Sequence, residues 1–574
     1  MALVIAAPAK SQAPAASQTD SARILRAARA AQARFESRRR FLAPQTTIGF
    51  TGSCRTIGRF CRRASGVAFR EIPDEPAGTT RARNDLLNVL RDAQRKIPGD
   101  GWVAGQRVRY LIEGGSDSAA AEAAGRCASE KWLCDALIGL AAHAANRFVA
   151  AEQAFARSLA EMPRDKRCAW TNLAQLLDGS ALDAYKKLDC DGRQAPNRRI
   201  WWLADPLFST PGNERRTEHF ARETWAEIER GGTNGFGMKW APDMTEMIVR
   251  FGWAEKWTQQ LQSGIGVGGQ SYVAHEREPD FHFLSQLPHT APLAAFTDSA
   301  WSIADEDAGE GYAPRYLDAF VSIQPQLARF KRGDSTLIVA AFDVTGDTAW
   351  RYAGVRPALV IAPSDTSRFL IARFDSSARQ SALWITAPSA VSLAGVELLS
   401  LDGKTAGRWR GSVTPLATDS TRSNISDILL FDATDSLATD IDGAIATALG
   451  RSTVTRDRRL GVYWESYGAS AADTSRAVSL TLTPIAPSVV TRVLRALGVG
   501  KKLTPVDVRW RDAGAGADVQ PKSVALDLSQ VAPGRYELRL SVGEGATASS
   551  ASRVIVIQDR ASLASRGGVR RRPS

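Results

Sequence analysis

Few residue types able to do chemistry stand close together in this chain. Six cysteines, Cys54, Cys61, Cys127, Cys134, Cys168 and Cys190, all fall in the first third. Thiols at such spacings close disulfides, hold a metal or act as nucleophiles. About fifteen pairings are possible, and three sequential ones, 54 with 61, 127 with 134 and 168 with 190, close loops of plausible length. C-x6-C is not a zinc-knuckle spacing and no histidine lies near the first pair, which argues against a metal. An even count in close pairs suits an oxidising compartment, with plain buried thiols as the alternative.

Carboxylates give the other chemistry to weigh. An acid/base site would pair Asp243 with Glu246, joined by Asp205 or His219, in a cleft between two parts of the chain. Each also has an ordinary structural job: Asp205 before Pro206 begins a turn, and Asp243 closes a turn before an apolar strand, Met247 to Phe251. The run His275-Glu276-Arg277-Glu278-Pro279-Asp280-Phe281-His282 clusters potential metal ligands, but Pro279 breaks any helix that would align them. Gly264-Ile265-Gly266-Val267-Gly268-Gly269 is outwardly like a phosphate loop; no Lys-Ser/Thr follows, so it reads as a link. There is no G-x-S-x-G, and five histidines are too scattered for a triad. No catalytic residue, metal or cofactor is assigned.

Helical periodicity governs residues 20 to 230. Asp20 is placed to cap a helix whose Ile24, Ala27, Ala28, Ala31 and Phe35 form a small apolar stripe, fitted to dock on the rest of the protein. Residues 82–97 predict a second helix with Leu86, Leu87, Leu90 and Ala93 inward and Pro98-Gly99 as its stop. From Trp102 to Cys190 short helices follow one another. In the clearest unit, Trp132 to Pro163, Ile138, Gly139, Ala151, Phe155, Ser158 and Pro163 fall at the offsets of a tetratricopeptide repeat. The stretch resembles that family, with degenerate units on either side. Small residues let the two helices of a hairpin approach, and Phe155 fills the space to the next. The resemblance implies a surface for a protein partner.

After Pro196 the sequence reads Trp201-Trp202-Leu203-Ala204-Asp205-Pro206, then Asn213-Glu214-Arg215-Arg216, Trp240-Ala241-Pro242-Asp243 and Arg250-Phe251-Gly252. This ordered set resembles the GWxTD domain of bacterial envelope proteins, over about residues 197–260, with Trp202, Asp205, Pro206, Asn213, Glu214, Trp240, Asp243, Arg250 and Gly252 at motif positions. The departures are Lys239 for the family's Gly, Pro242 for its Thr and Met244-Thr245 for its Arg-Gly. The resemblance implies a bacterial domain often joined to tetratricopeptide and β-rich modules, and brings no reaction with it.

Beyond residue 285 short alternating or wholly apolar runs are separated by turn residues, which predicts antiparallel sheets. Trp464 and Trp510 could stack on sugars, but alternate strand positions make them core residues. Asp440–Leu449 and Val489–Leu497 read as short helical insertions.

The 574 residues allow several domains. The expected architecture is multidomain, α then β: a leader or degraded signal peptide (1–19), N-terminal helices and a Cys loop (20–100), a tetratricopeptide-like stack (101–195), a mixed GWxTD-like domain (196–285), two antiparallel, immunoglobulin-like β-sandwiches (286–450 and 451–560) and a basic tail (561–574). Of the net charge of +12, +10 lies in residues 1–83 (15 basic, 5 acidic) and +5 in residues 560–574, which leaves −3 for the rest. Charge confined to the ends is not the surface of a nucleic-acid-binding domain. No apolar run is long enough to span a membrane. The sequence thus points to a non-catalytic interaction or assembly module of the bacterial envelope or periplasm, binding a protein through its helical stack. The alternative is a carboxylate-dependent hydrolase or carbohydrate-active protein with a site between the helical and GWxTD-like parts.

Overall fold

The computed structural model describes residues 18–46, 54–63, 72–261, 270–304, 308–350, 354–374, 377–417, 424–467, 475–485, 505–512, 518–545 and 548–559. The leader, the Gly264–Gly269 link, the expected helix at Val489–Leu497 and the basic tail lie outside them. The chain divides into two units: residues 1–206, 210–290 and 301–316 form the first, and 207–209, 291–300 and 317–574 the second. The first is helical and the second strand-rich.

In the first unit α1 (Gln18–Leu42) packs on α2 (Ala77–Lys96) and α3 (Gly101–Glu113) follows. Asp20 does not cap α1, because the helix already begins at Gln18; it lies in the first turn and pairs with Arg23. The expected stripe does dock at home: Ala28, Ala31 and Phe35 join Leu86, Leu90, Ala93 and Tyr110 in one core. α1 also buries charge that its periodicity did not show. Glu36 and Arg39 are buried and bonded to each other, and Arg109 and Glu113 of α3 complete the cluster.

Helices α3 and α4 (Asp117–Gly125), then α5 (Lys131–Ala144) and α6 (Phe148–Glu161), form successive hairpins. At Gly139 the helices of the second hairpin approach so closely that a Cβ there would sit 2.6 Å from the Phe155 ring. The segment expected to supply a third hairpin holds two α-helices, α7 (Arg164–Trp170) and α8 (Gly179–Tyr185), seven residues each, with a 3-10 turn at Ala174–Leu176 between them, and the Cys168–Cys190 disulfide joins the end of α7 to the chain beyond α8. Helices this short gain little from propagation and depend on packing and the cross-link. Cys127 and Cys134 form a second disulfide. Cys54 and Cys61 lie on the hairpin of β2 (Cys54–Ile57) and β3 (Phe60–Arg63), and the Cys54 side chain lies outside the described residues. A small sheet of β1 (Gln45–Thr46), β4 (Lys256–Leu261) and β5 (Gln270–His275) completes the unit.

α9 (Gln194–Ala204), α10 (Glu214–Arg230) and α11 (Pro242–Phe251) carry the GWxTD-like positions. The strand expected at Met247–Phe251 is therefore the end of a helix. Pro242 at its first turn is preset for helical φ, and Met244, Ile248, Val249 and Phe251 recur at helical spacing to face the core. Strand follows only after Gly252, whose φ of 101° ends the helix where a side chain would be strained.

The second unit stacks four sheets. The order β10 (Leu370–Arg373), β9 (Val355–Ala362), β12 (Ser392–Ser400), β13 (Thr405–Val413), β6 (Ala319–Ser322) makes the first; β11 (Gln380–Pro388), β8 (Ser335–Asp343), β7 (Gln326–Arg332) the second. The third gathers β14 (Asn424–Ile425), β15 (Leu429–Asp432) and β20 (Val519–Asp527) around β17 (Arg459–Tyr467), and the fourth has the order β16 (Thr453–Thr455), β22 (Ser549–Gln558), β21 (Gly534–Val542), β18 (Arg476–Pro484), β19 (Val506–Asp512). Side chains alternate across β8: Ile338, Ala340 and Phe342 meet the first sheet, while Leu337, Val339 and Ala341 meet Phe431 and Tyr463 of the third. β17 repeats the pattern, with Val462 and Trp464 turned toward Leu480 and Leu540 of the fourth. The inner strands are apolar on both faces because both faces are covered. β14 and β15, which the sequence places in a first sandwich, hydrogen-bond to β17 of the second. The boundary expected at residue 450 therefore runs through continuous packing. The short helix expected near Asp440 is α12 (Ile441–Ala446), capped by the Asp440 carboxylate. Trp464 is buried and its ring lies 6.3 Å from that of Trp510 within the same core.

Candidate functional site

A second cluster of buried polar groups, apart from the one between α1 and α3, centres on α10. This helix reads as amphipathic, yet 13 of its 17 residues are buried, Arg215, Arg222, Glu214 and Glu218 among them. Asn213 caps it, accepting from the Arg216 amide at 2.9 Å and donating to the Trp201 carbonyl at 2.6 Å. Buried charges persist only when they are paired, and here each finds a partner from another element. Arg222 bonds Glu218 at 2.5 Å and donates to the Arg250 and Gly311 carbonyls, both at 2.8 Å. His143 Nε2 stands 2.6 Å from Glu218 and its Nδ1 2.9 Å from the Thr217 hydroxyl. Arg215 reaches Glu310 at 2.5 Å, and His282 meets the same carboxylate at 2.7 Å. Tyr312 and Tyr316 donate to the two oxygens of Glu214, at 3.0 and 2.7 Å.

These surroundings set the protonation. Burial raises Glu214 to about 7, with the two tyrosine hydroxyls pulling the other way. Burial acts in the same sense on Glu218, but Arg222 and His143 outweigh it and hold the carboxyl far below its ordinary value. Burial likewise lowers His219 to about 3. That ring is neutral and donates from Nε2 to the Trp170 carbonyl at 2.8 Å. A carboxyl poised near neutrality is a candidate general base. Both oxygens of Glu214 already carry a hydroxyl, and the residue is 1% exposed, so its geometry is that of a clasp.

The remaining motif positions hold the backbone. Trp202 and Asp205 are buried at the end of α9, before Pro206, and Trp240 packs on the helical core. Asp243, in the first turn of α11, is gripped by Arg59 at 2.7 Å through both carboxylate oxygens, which lowers it to about 2. Arg250 bonds Glu246 at 2.6 Å and the Gly309 carbonyl at 2.5 Å. The hydrolase alternative required Asp205, Asp243 and Glu246 around one cleft. The latter two are instead each committed to an arginine, and none of the three lines a hollow described below. The His275–His282 run is also dispersed: His275 bonds the Thr258 hydroxyl at 2.8 Å, while His282 serves Glu310. Among the described residues no group of three or more His, Cys, Asp or Glu is arranged to hold a metal.

Beside α10 the described residues line a hollow of about 440 Å³. Two others, of about 10 and 20 Å³, admit no more than a water. Its wall is the disulfide-closed segment bearing Trp170, Asn172 and Gln175, faced by Glu223 and Arg230 of α10 and Thr245 of α11. Glu223 is 6% exposed, and burial raises its carboxyl to about 8 against the opposing pull of Arg230. Among the described residues it has no hydrogen bond or ion pair. Lys166 and Arg230 line the same hollow, but both turn to Glu227, at 2.5 and 3.2 Å. Sequence reasoning did not single out these residues. Glutamate in a charged helix gives no sign of burial; the one available hint was the Cys168–Cys190 loop.

No helix among the described residues is long and apolar enough to cross a membrane. Comparison with protein-family models and with curated protein sequences finds no match to this chain.

Proposed function

We propose that this chain is a non-catalytic interaction or assembly module of the bacterial cell envelope, exported to an oxidising compartment. In this reading residues 101–195 are a tetratricopeptide-like stack that receives a protein partner, residues 196–285 a divergent GWxTD domain, and the strand-rich half a pair of immunoglobulin-like modules. The observation that carries it is how the buried charges along the first turns of α10 are engaged: Glu218 bonds Arg222 and His143, Arg215 bonds Glu310, and Glu214 takes two tyrosine hydroxyls, as befits a scaffold held in one shape. The two disulfides of the helical half support export, since such cross-links persist outside a reducing cytosol.

In-cell crosslinking of the full chain, followed by purification from envelope fractions, is expected to recover a partner in fixed stoichiometry. The intact mass of the non-reduced protein from those fractions is expected to show at least two bridges. Recovery from the cytosol with free thiols, or of the chain alone, would overturn the reading.

A further inference from the structure

The lining of the hollow beside α10 includes side chains left without internal partners. Those of Glu223, Gln175 and Thr245 make no hydrogen bond among the described residues, and Asn172 uses only its carbonyl oxygen, which accepts from the Ala174 amide at 3.1 Å. A nine-tenths-buried carboxyl normally recruits a cation. Two cations line this hollow and neither does so. Lys166 is held by Glu227 and by the Trp132 ring, 4.4 Å from its centroid, and Arg230 also bonds Glu227. Glu223 therefore meets its burial by keeping its proton, in keeping with its rise to about 8. A carboxylic acid, two carboxamides and a hydroxyl remain, all uncharged and rich in both donors and acceptors.

We propose that this hollow binds a saccharide, with Glu223, Gln175, Asn172 and Thr245 bonding its hydroxyls and the small apolar Ala169 and Ala174 leaving room for the C–H face of a ring. Sugar hydroxyls each donate and accept, which is the capacity these side chains leave open. A volume of about 440 Å³ suits one or two pyranose rings. The site is proposed to bind and not to cleave: glycoside hydrolysis uses a pair of carboxyls, and among the described residues of the lining Glu223 is the one carboxyl. The Cys168–Cys190 bridge closes the loop that supplies Asn172, Gln175 and Trp170, so the wall is fixed before a ligand arrives. This inference is independent of the protein partner proposed above.

The test uses the oxidised full chain and saturation-transfer NMR with glucose, N-acetylglucosamine, cellobiose, chitobiose and maltose at millimolar concentration. At least one is expected to show transfer and a measurable affinity. Glu223→Gln keeps a donor and an acceptor and is expected to bind within about threefold of wild type; Glu223→Leu and Gln175→Ala are expected to lose roughly tenfold or more. Wild-type affinity falls above about pH 8 as the acid ionises, and that of Glu223→Gln does not. Removing an unpartnered buried carboxyl leaves Glu223→Leu folded at least as stably as wild type; should it fail to fold, Gln175→Ala carries the test. Absence of transfer from all five sugars overturns the proposal. So does unchanged binding in the folded variants, or displacement of a bound sugar by succinate with loss of binding in Glu223→Gln, which would mark an ionic site.

Discussion

Replacing Glu223 by Gln tests the electrostatics of the hollow without any ligand. Burial moves the carboxyl from its ordinary 4.5 to about 8, so between these values the folded chain holds a proton that the unfolded chain releases. The contribution to stability is complete below the lower value and is lost as pH rises through the upper one. Each tenfold change in proton affinity is worth about 1.4 kcal/mol, so the whole span amounts to roughly 5 kcal/mol, and about 2–4 kcal/mol once solvent relaxation at the hollow's mouth is allowed. Glutamine keeps the shape and polarity and has no proton to lose. The variant is expected to match wild type within about 1 kcal/mol near pH 5 and to exceed it by about 2–4 kcal/mol near pH 8.5. Urea denaturation of the first unit, followed by tryptophan fluorescence in wild type and variant at both pH values, reads the difference, and other titrating groups cancel between the two proteins. A difference that stays constant across this range would refute the assignment of Glu223 as an unpaired, buried acid.

Two further outcomes follow from the packing. Glu218→Gln strands the buried Arg222 and is expected to cost about 3–5 kcal/mol, with much of it regained when Arg222→Met is added; a double-mutant denaturation cycle measures both. Gly139→Ala places a methyl 2.6 Å from the Phe155 ring and is expected to lower stability by about 1–3 kcal/mol, partly restored by Phe155→Leu, as read by thermal melting.

Much of the helical half is legible from local pattern. The stripe Ala28, Ala31, Phe35 and the run Leu86, Leu90, Ala93 predict a docked pair of helices, and the two do share a core. Gly139 is the small residue at which the two helices of its hairpin approach, but the ring against it is Phe155 of that same hairpin, which was expected to fill the space to the next. The strand predicted at Met247–Phe251 failed because a short apolar run fits both periods, and Pro242 as a helix start had to arbitrate. In the strand-rich half the apolar runs of β8 and β17 announce strands, but a run covered on both faces does not say what covers it, so the four-sheet stack was not foreseen.

The sequence by itself determined the order of helix and strand, the segments that bury apolar faces and the cysteines close enough to pair, because these depend on neighbours within a few turns or a short loop. Tertiary structure decided which of the charges on α10 are spent on partners outside their own helix. Glu214, Glu218, Arg215 and Arg222 stand in one helical stretch with Glu223, and nothing local separates the four that meet partners from His143, Glu310, Tyr312 and Gly311 from the one left facing an open hollow. Ion pairing and burial are set by side chains about a hundred residues away, which a helical period cannot encode.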